Sequence, residues 1–149
     1  MPKFALICVC SLLVLVNSEI RGDDPGSVSI GSAIKFGRVD TKGLATLIAS
    51  EVPLVILDAR SFKWDDGLRI ASAQALFYTA TAEQAAAAIP SLDSLVVVYC
   101  TNSHCPASMY LAARLSELGY SNILEYEEGI EEWIHSGYPV RETRHTGIE

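Results

Sequence analysis

Cys100 and Cys105 bracket a short polar stretch, Thr101-Asn102-Ser103-His104, and Pro106 follows directly. The apolar run Leu95-Val96-Val97-Val98-Tyr99 comes just before it. A continuous run of this kind, rich in valine, is the strongest strand pattern in the chain, and proline suits the first position of a helix. Cys100 therefore sits in a tight loop between a buried strand and a helix start. Backbone N–H groups converge in such a place and favour an anion. A thiolate is an anion, so the same loop lowers a thiol's pKa and makes it nucleophilic. The intervening residues are small or polar and add hydroxyl, amide and imidazole groups. His104 titrates near neutrality, which suits stabilising a thiolate or protonating a leaving group. Plainer alternatives stand beside these. A cysteine after a strand is most often simple core, and a loop histidine is most often solvated. Cys100, His104 and Cys105 lack the paired Cys-x-x-Cys spacing of a structural zinc site, so no metal is expected; no cofactor is expected either.

Those residues need a frame, and the pattern on either side supplies one. Leu54-Val55-Ile56-Leu57 is a second continuous apolar run, ending at Asp58-Ala59-Arg60, and it fits a strand buried on both faces. Ile34 to Phe36, Gln74 to Phe77 and Ile123-Leu124 are further strand candidates. Asp40 or Thr41 caps a helix carrying Leu44, Leu47 and Ile48 on one face. Thr81 and Gln84 form a capping box before an alanine-rich helix that Pro90 ends. Leu111, Leu115 and Leu118 recur at helical spacing, with Tyr110, Arg114 and Glu117 on another side, and Gly119 stops that helix. Ile130, Trp133 and Ile134 mark a small closing helix before Gly137 and Pro139. Strands alternating with helices predict an α/β fold: a mostly parallel central sheet covered by helices on both faces. Ligands in such sheets bind beyond the carboxyl ends of the strands, where Asp58-Ala59-Arg60 and Cys100 both fall. Asp58 and Arg60 are expected mainly as a structural ion pair or cap. Trp64, in the polar loop Lys63 to Gly67, either walls the pocket or pins that loop. Trp133 is expected in the core, and Glu127, Glu128, Glu131 and Glu132 on a solvated face.

This order of pieces resembles the rhodanese family over roughly Ile34 to Val140. Leu57-Asp58-Ala59-Arg60 looks like that family's strand-end Asp-x-Arg, and Val96 to Cys100 like the strand that delivers its active cysteine. Ala112 to Leu115 with Gly119 to Ile123, then Gly129 to Trp133 and Gly137 to Val140, resemble the helix, strand and closing segments that follow. The resemblance implies a sulfurtransferase: Cys100 takes a sulfane sulfur from a small donor, holds it as a persulfide, and passes it to a thiol or other thiophilic acceptor. It implies that the N–H groups from Thr101 to Cys105 cradle the terminal sulfur, and that Asp58 and Arg60 hold the surrounding loops. The loop departs from the family in holding no Arg or Lys, so thiosulfate is not the expected donor; any cationic help must come from His104, Arg60, Lys63 or Arg69. Related cysteine phosphatases need arginine where Pro106 stands, which excludes that activity. Cys105 has three open roles: resolving a persulfide or sulfenic acid on Cys100 through a disulfide, forming a permanent bridge, or packing as an inert thiol. Two rival functions follow, a thiol–disulfide redox protein with a protein redox partner and a non-catalytic binding module.

Composition sets the outer bounds. The chain has 149 residues, 50% hydrophobic, which suits one domain with a real core. Its net charge is −7 with 11 Lys and Arg, which argues against nucleic acid and against an anionic membrane surface. Lys3 followed by the apolar run Phe4 to Val16 reads as a secretory signal, cleaved after Ser18; an uncleaved anchor is the alternative. The expected layout is a signal peptide over 1–18, a flexible leader over 19–33, the domain over 34–140 and a loose tail over 141–149. An exported protein, periplasmic or secreted and free of the membrane after cleavage, follows. Cys8 and Cys10 leave with the signal, so Cys100 and Cys105 alone remain.

Overall fold

A computed structural model of the chain describes residues 36–143. The expected signal peptide and leader lie outside these residues, as do Ile34, Lys35 and positions 144–149.

The continuous apolar runs become the centre of the sheet. Strand β2 (Leu54–Asp58) and β5 (Leu95–Tyr99) pair in parallel, Leu54 against Leu95 through Asp58 against Tyr99. On either side lie β6 (Ile123–Tyr126) with β1 (Gly37–Arg38) at its edge, and β4 (Gln74–Ala75). The order is β1-β6-β5-β2-β4, and every pair is parallel. Alternation along β5 divides the core, because successive side chains point to opposite faces. Val96 and Val98 join Leu57, Ile89, Leu111 and Leu115 beneath α2 (Ala82–Ala88) and α3 (Ala107–Glu117). Val97 and Tyr99 join Leu44, Ile56, Tyr126, Ile130 and Trp133 beneath α1 (Thr41–Ala49) and α4 (Gly129–His135). The predicted three layers are therefore present.

The helix ends follow the expected chemistry. Asp40 caps α1 by accepting from the Gly43 N–H at 2.7 Å. Thr81 and Gln84 complete the capping box of α2. Pro106 takes the cap position immediately before α3. Gly119 ends α3 with φ +96°, a left-handed conformation that glycine adopts without strain.

Four details differ from the sequence reading. The first described edge strand is Gly37–Arg38, which leaves out Phe36, while Ile34 and Lys35 of the expected strand lie outside the described residues. The strand expected over Gln74 to Phe77 spans only Gln74–Ala75. A 3₁₀ turn, Phe62–Trp64, and strand β3 (Leu68–Ile70) occupy a stretch read as loop. The tail is also not loose from Arg141: β7 (Val140–Glu142) pairs antiparallel with β3 in a separate two-stranded sheet. The Arg141 guanidinium donates to the Ala71 and Ala73 carbonyls, and Thr143 bonds the Gly67 carbonyl. Backbone pairing with a distant strand overrides the polar composition of this segment.

Candidate active site

Cys100 leaves the end of β5 and is 2% exposed. Two backbone bonds from the first turn of α4 grip the strand end: Ile130 N–H donates to the Cys100 carbonyl and Glu131 N–H to the Thr101 carbonyl, each at 3.0 Å. Gly129 makes that approach possible. It has φ +75°, and a Cβ placed on it would lie 2.5 Å from the Thr101 carbonyl oxygen. Asn102 then folds the loop. Its side-chain oxygen accepts from the His104 N–H at 3.1 Å, its carbonyl accepts from the Cys105 N–H at 3.0 Å, and its amide donates to Glu131 at 2.8 Å. Two of the five N–H groups expected to cradle a sulfur, those of His104 and Cys105, are thus spent inside the loop. The loop so formed brings Cys105 back to Cys100, and the two sulfurs are joined in a disulfide with Cα atoms 6.1 Å apart, a normal span for the bond.

Beside Cys100, at the ends of β2 and β5, lies a buried charge network. Asp58 is 1% exposed. Its carboxylate accepts from Arg60 Nε and Nη2, at 2.8–3.1 Å, and from the Arg60 backbone N–H. The Tyr99 hydroxyl donates to it at 2.9 Å, and Arg69 stands 3.4 Å away. Arg60 also donates to Asp66 and to the Leu68 carbonyl, while Arg69 pairs with Asp65. Burial works against the charged Arg60 guanidinium, but its bonds to Asp58 and Asp66 outweigh that and hold its pKa above the ordinary value. The hydrogen bond from Arg69 holds the Asp65 carboxyl down to about 2. Burial, then the neighbouring Asp58 charge, pushes the Tyr99 phenol well up, so Tyr99 is a neutral donor. Asp58 and Arg60 thus form a buried ion pair at the end of β2, joined by the Tyr99 hydroxyl from the end of β5. Arg60 and Arg69, considered from sequence as anion ligands, are instead consumed by carboxylates.

Cys100 lines a cleft of about 550 Å³. Cys100 and the loop through Cys105 form its floor, with Trp64, Phe77, Tyr78 and Tyr110 along its walls. Tyr78 and Tyr110 meet edge to face at 5.5 Å. Trp64 therefore walls the cleft, the first of its two expected roles. Lys63 lies over the Trp64 ring, 5.2 Å from its centre. Arg60 is the one arginine or lysine in the lining, and Glu131 brings a negative charge. Sequence reasoning missed Gly129, Phe77, Tyr78 and Tyr110 as site residues. Tyr110 carried a signal, an aromatic on the polar side of the helix that starts at the cysteine loop. The other three carried none.

Among the described residues no group of His, Cys, Asp and Glu is placed to hold a metal ion.

The sequence matches the Rhodanese-like domain family over residues 40–136, so the chain belongs to that family. Solved structures show the same fold. A rhodanese-related protein from Thermoplasma volcanium superposes with a TM-score of 0.57 at 26% identity, covering 70% of this chain and 97% of its own. A Bacillus halodurans protein superposes at 0.63 with 20% identity, covering 72% and 77%. A thiosulfate sulfurtransferase from Pseudomonas aeruginosa superposes at 0.59 with 19% identity, covering 73% of this chain but 21% of that one. No curated protein matches the sequence.

Proposed function

We propose that this domain is a sulfurtransferase whose nucleophile is Cys100 in its reduced form. The observation that carries the proposal is the placement of Cys100: at the carboxyl end of a central strand, gripped by α4, on the floor of an aromatic cleft. The thiolate attacks the sulfane sulfur of a donor of the form R–SO₂–S⁻. A bond forms between Cys100 Sγ and that sulfur, the bond to R–SO₂ breaks, and the sulfinate leaves with the electron pair. A thiol or other thiophilic acceptor then removes the outer sulfur. Aromatic walls and a lining arginine already paired to Asp58 and Asp66 favour a donor with an apolar organic body over a small inorganic dianion. The apolar run at the start of the sequence supports an exported location, where oxidising conditions keep Cys100 and Cys105 joined until a reductant arrives.

The disulfide itself favours a second reading, a thiol–disulfide redox protein that exchanges electrons with a partner and moves no sulfur. One experiment separates them. Reduced protein, freed of reductant, is treated with benzenethiosulfonate and weighed intact. A gain of one sulfur atom, reversed by thiol and absent from Cys100→Ser, supports transfer. Oxidation to the disulfide with no sulfur gained at any time, in the wild type or in Cys105→Ser, supports the redox reading.

A further inference from the structure

We propose a further activity for this site: Cys105 expels the sulfur carried by Cys100, so that the domain is a persulfide reductase that releases sulfide. The inference rests on the Cys100 persulfide proposed above and adds a fate for it. Three observations carry it. The first is the Cys100–Cys105 bond. It coexists with the bonds that shape the loop: His104 N–H to the Asn102 side-chain oxygen, Cys105 N–H to the Asn102 carbonyl, Asn102 to Glu131, and the α4 turn to Cys100 and Thr101. The folded loop thus holds Cys105 within bonding reach of Cys100, and an intramolecular nucleophile so placed has a high effective concentration. The second is charge. The cleft through which an outside acceptor must approach carries Glu131 and no arginine or lysine beyond the paired Arg60. An anionic thiol acceptor is therefore poorly held there, while Cys105 needs no entry. The third is exposure. Cys100 is 2% exposed, whereas Cys105 is half-buried.

The chemistry balances. Cys105 gives up its thiol proton and its sulfur attacks Cys100 Sγ. The Sγ–Sγ bond forms, the bond from Cys100 Sγ to the outer sulfur breaks, and that sulfur leaves as hydrosulfide with the electron pair and the proton. The outer sulfur is reduced to sulfide and the two cysteines are oxidised to the disulfide seen in the structure. A dithiol, small or borne by a partner protein, resets the site. One of its thiolates attacks the more accessible Cys105 sulfur, Cys100 departs as thiolate into the loop, and the second thiol closes the dithiol's own disulfide. Cys100 is then ready for another donor.

The test is a single turnover without added thiol. Wild type, Cys105→Ser, Cys105→Ala and Cys100→Ser, all reduced and freed of reductant under anaerobic conditions, receive equimolar benzenethiosulfonate, which contains no sulfide-level sulfur. Sulfide and intact mass are followed together. The wild type is expected to release sulfide in stoichiometric amount and end two hydrogens lighter than its reduced form. Both Cys105 variants are expected to keep one added sulfur and to release sulfide at least ~10-fold more slowly, and Cys100→Ser to do neither. A wild type that keeps its sulfur as long as the Cys105 variants overturns this inference and leaves the transferase reading standing. Failure of all four proteins to gain sulfur or release sulfide overturns both.

Discussion

Gly129 carries more of the site than its size suggests. Its φ of +75° is unfavourable for any residue with a Cβ, and that Cβ would strike backbone, the Thr101 carbonyl and the Asn102 nitrogen, at 2.5–2.7 Å. Neither neighbour can swing aside as a side chain would. Gly129→Ala is expected to cost ~2–4 kcal/mol in urea unfolding and to abolish sulfur loading at Cys100. Gly137→Ala is the matched control: φ is +80°, nothing lies within 4 Å, and the cost is expected near ~1 kcal/mol with loading unchanged. Arg60 answers to a different force. Arg60→Met removes four of the hydrogen bonds that hold Asp58 and Asp66 and leaves the buried Asp58 carboxylate only the Tyr99 hydroxyl, a backbone N–H and the more distant Arg69. The expected loss is ~3–5 kcal/mol, measured the same way. Tyr99→Phe removes one donor from the same carboxylate, and a smaller loss of ~1–3 kcal/mol is expected.

At the scale of elements, legibility tracked how local the determinants are. Strands β2 and β5 were readable because both faces are buried and the runs are continuously apolar, and α2 because its capping box lies within four residues. Strand β3 was not readable, because its central residue is an arginine. Arg69 is 5% exposed only because Asp58 and Asp65 receive it, and those contacts are invisible along the chain. Strand β7 was hidden for a related reason: Arg141 and Glu142 look like a tail until Arg69 and Leu68 are placed opposite. The site divides the same way. The placement of Cys100 followed from a strand meeting a helix, whereas the cleft walls come from separate segments after β2, after β4 and along α3. α3 also offers a test at this scale. Leu111 is fully buried between the sheet and its helix, and Leu111→Ala is expected to lower unfolding stability by ~2–5 kcal/mol while leaving the Cys100–Cys105 pair able to close, as read by intact mass.

For the molecule as a whole, the charge network predicts how it meets acid. Asp65 binds its proton less readily in the folded state, where Arg69 holds its pKa to about 2, than at its ordinary value of 3.8. Ionised Asp65 therefore favours the folded state; its contribution is complete above the ordinary value and drains away as pH falls toward the lowered one. Urea midpoints measured from about pH 5 down to about pH 2 are expected to decline, and Asp65→Asn to flatten the decline in that window. The same network is roofed by the ribbon of β3 and β7, whose strands meet across a long span of chain, Arg141 bonding Ala71 at a separation of 70 residues. Synthesis is vectorial, so β3 emerges from the ribosome well before its antiparallel partner. Released chains truncated before Val140 are expected to stay open to protease around Gly67 to Ala73, and full-length chains to resist there. Strand β7 is thus the latch of the β3 segment, and a chain that has not yet made it leaves Gly67 to Ala73 without its cover.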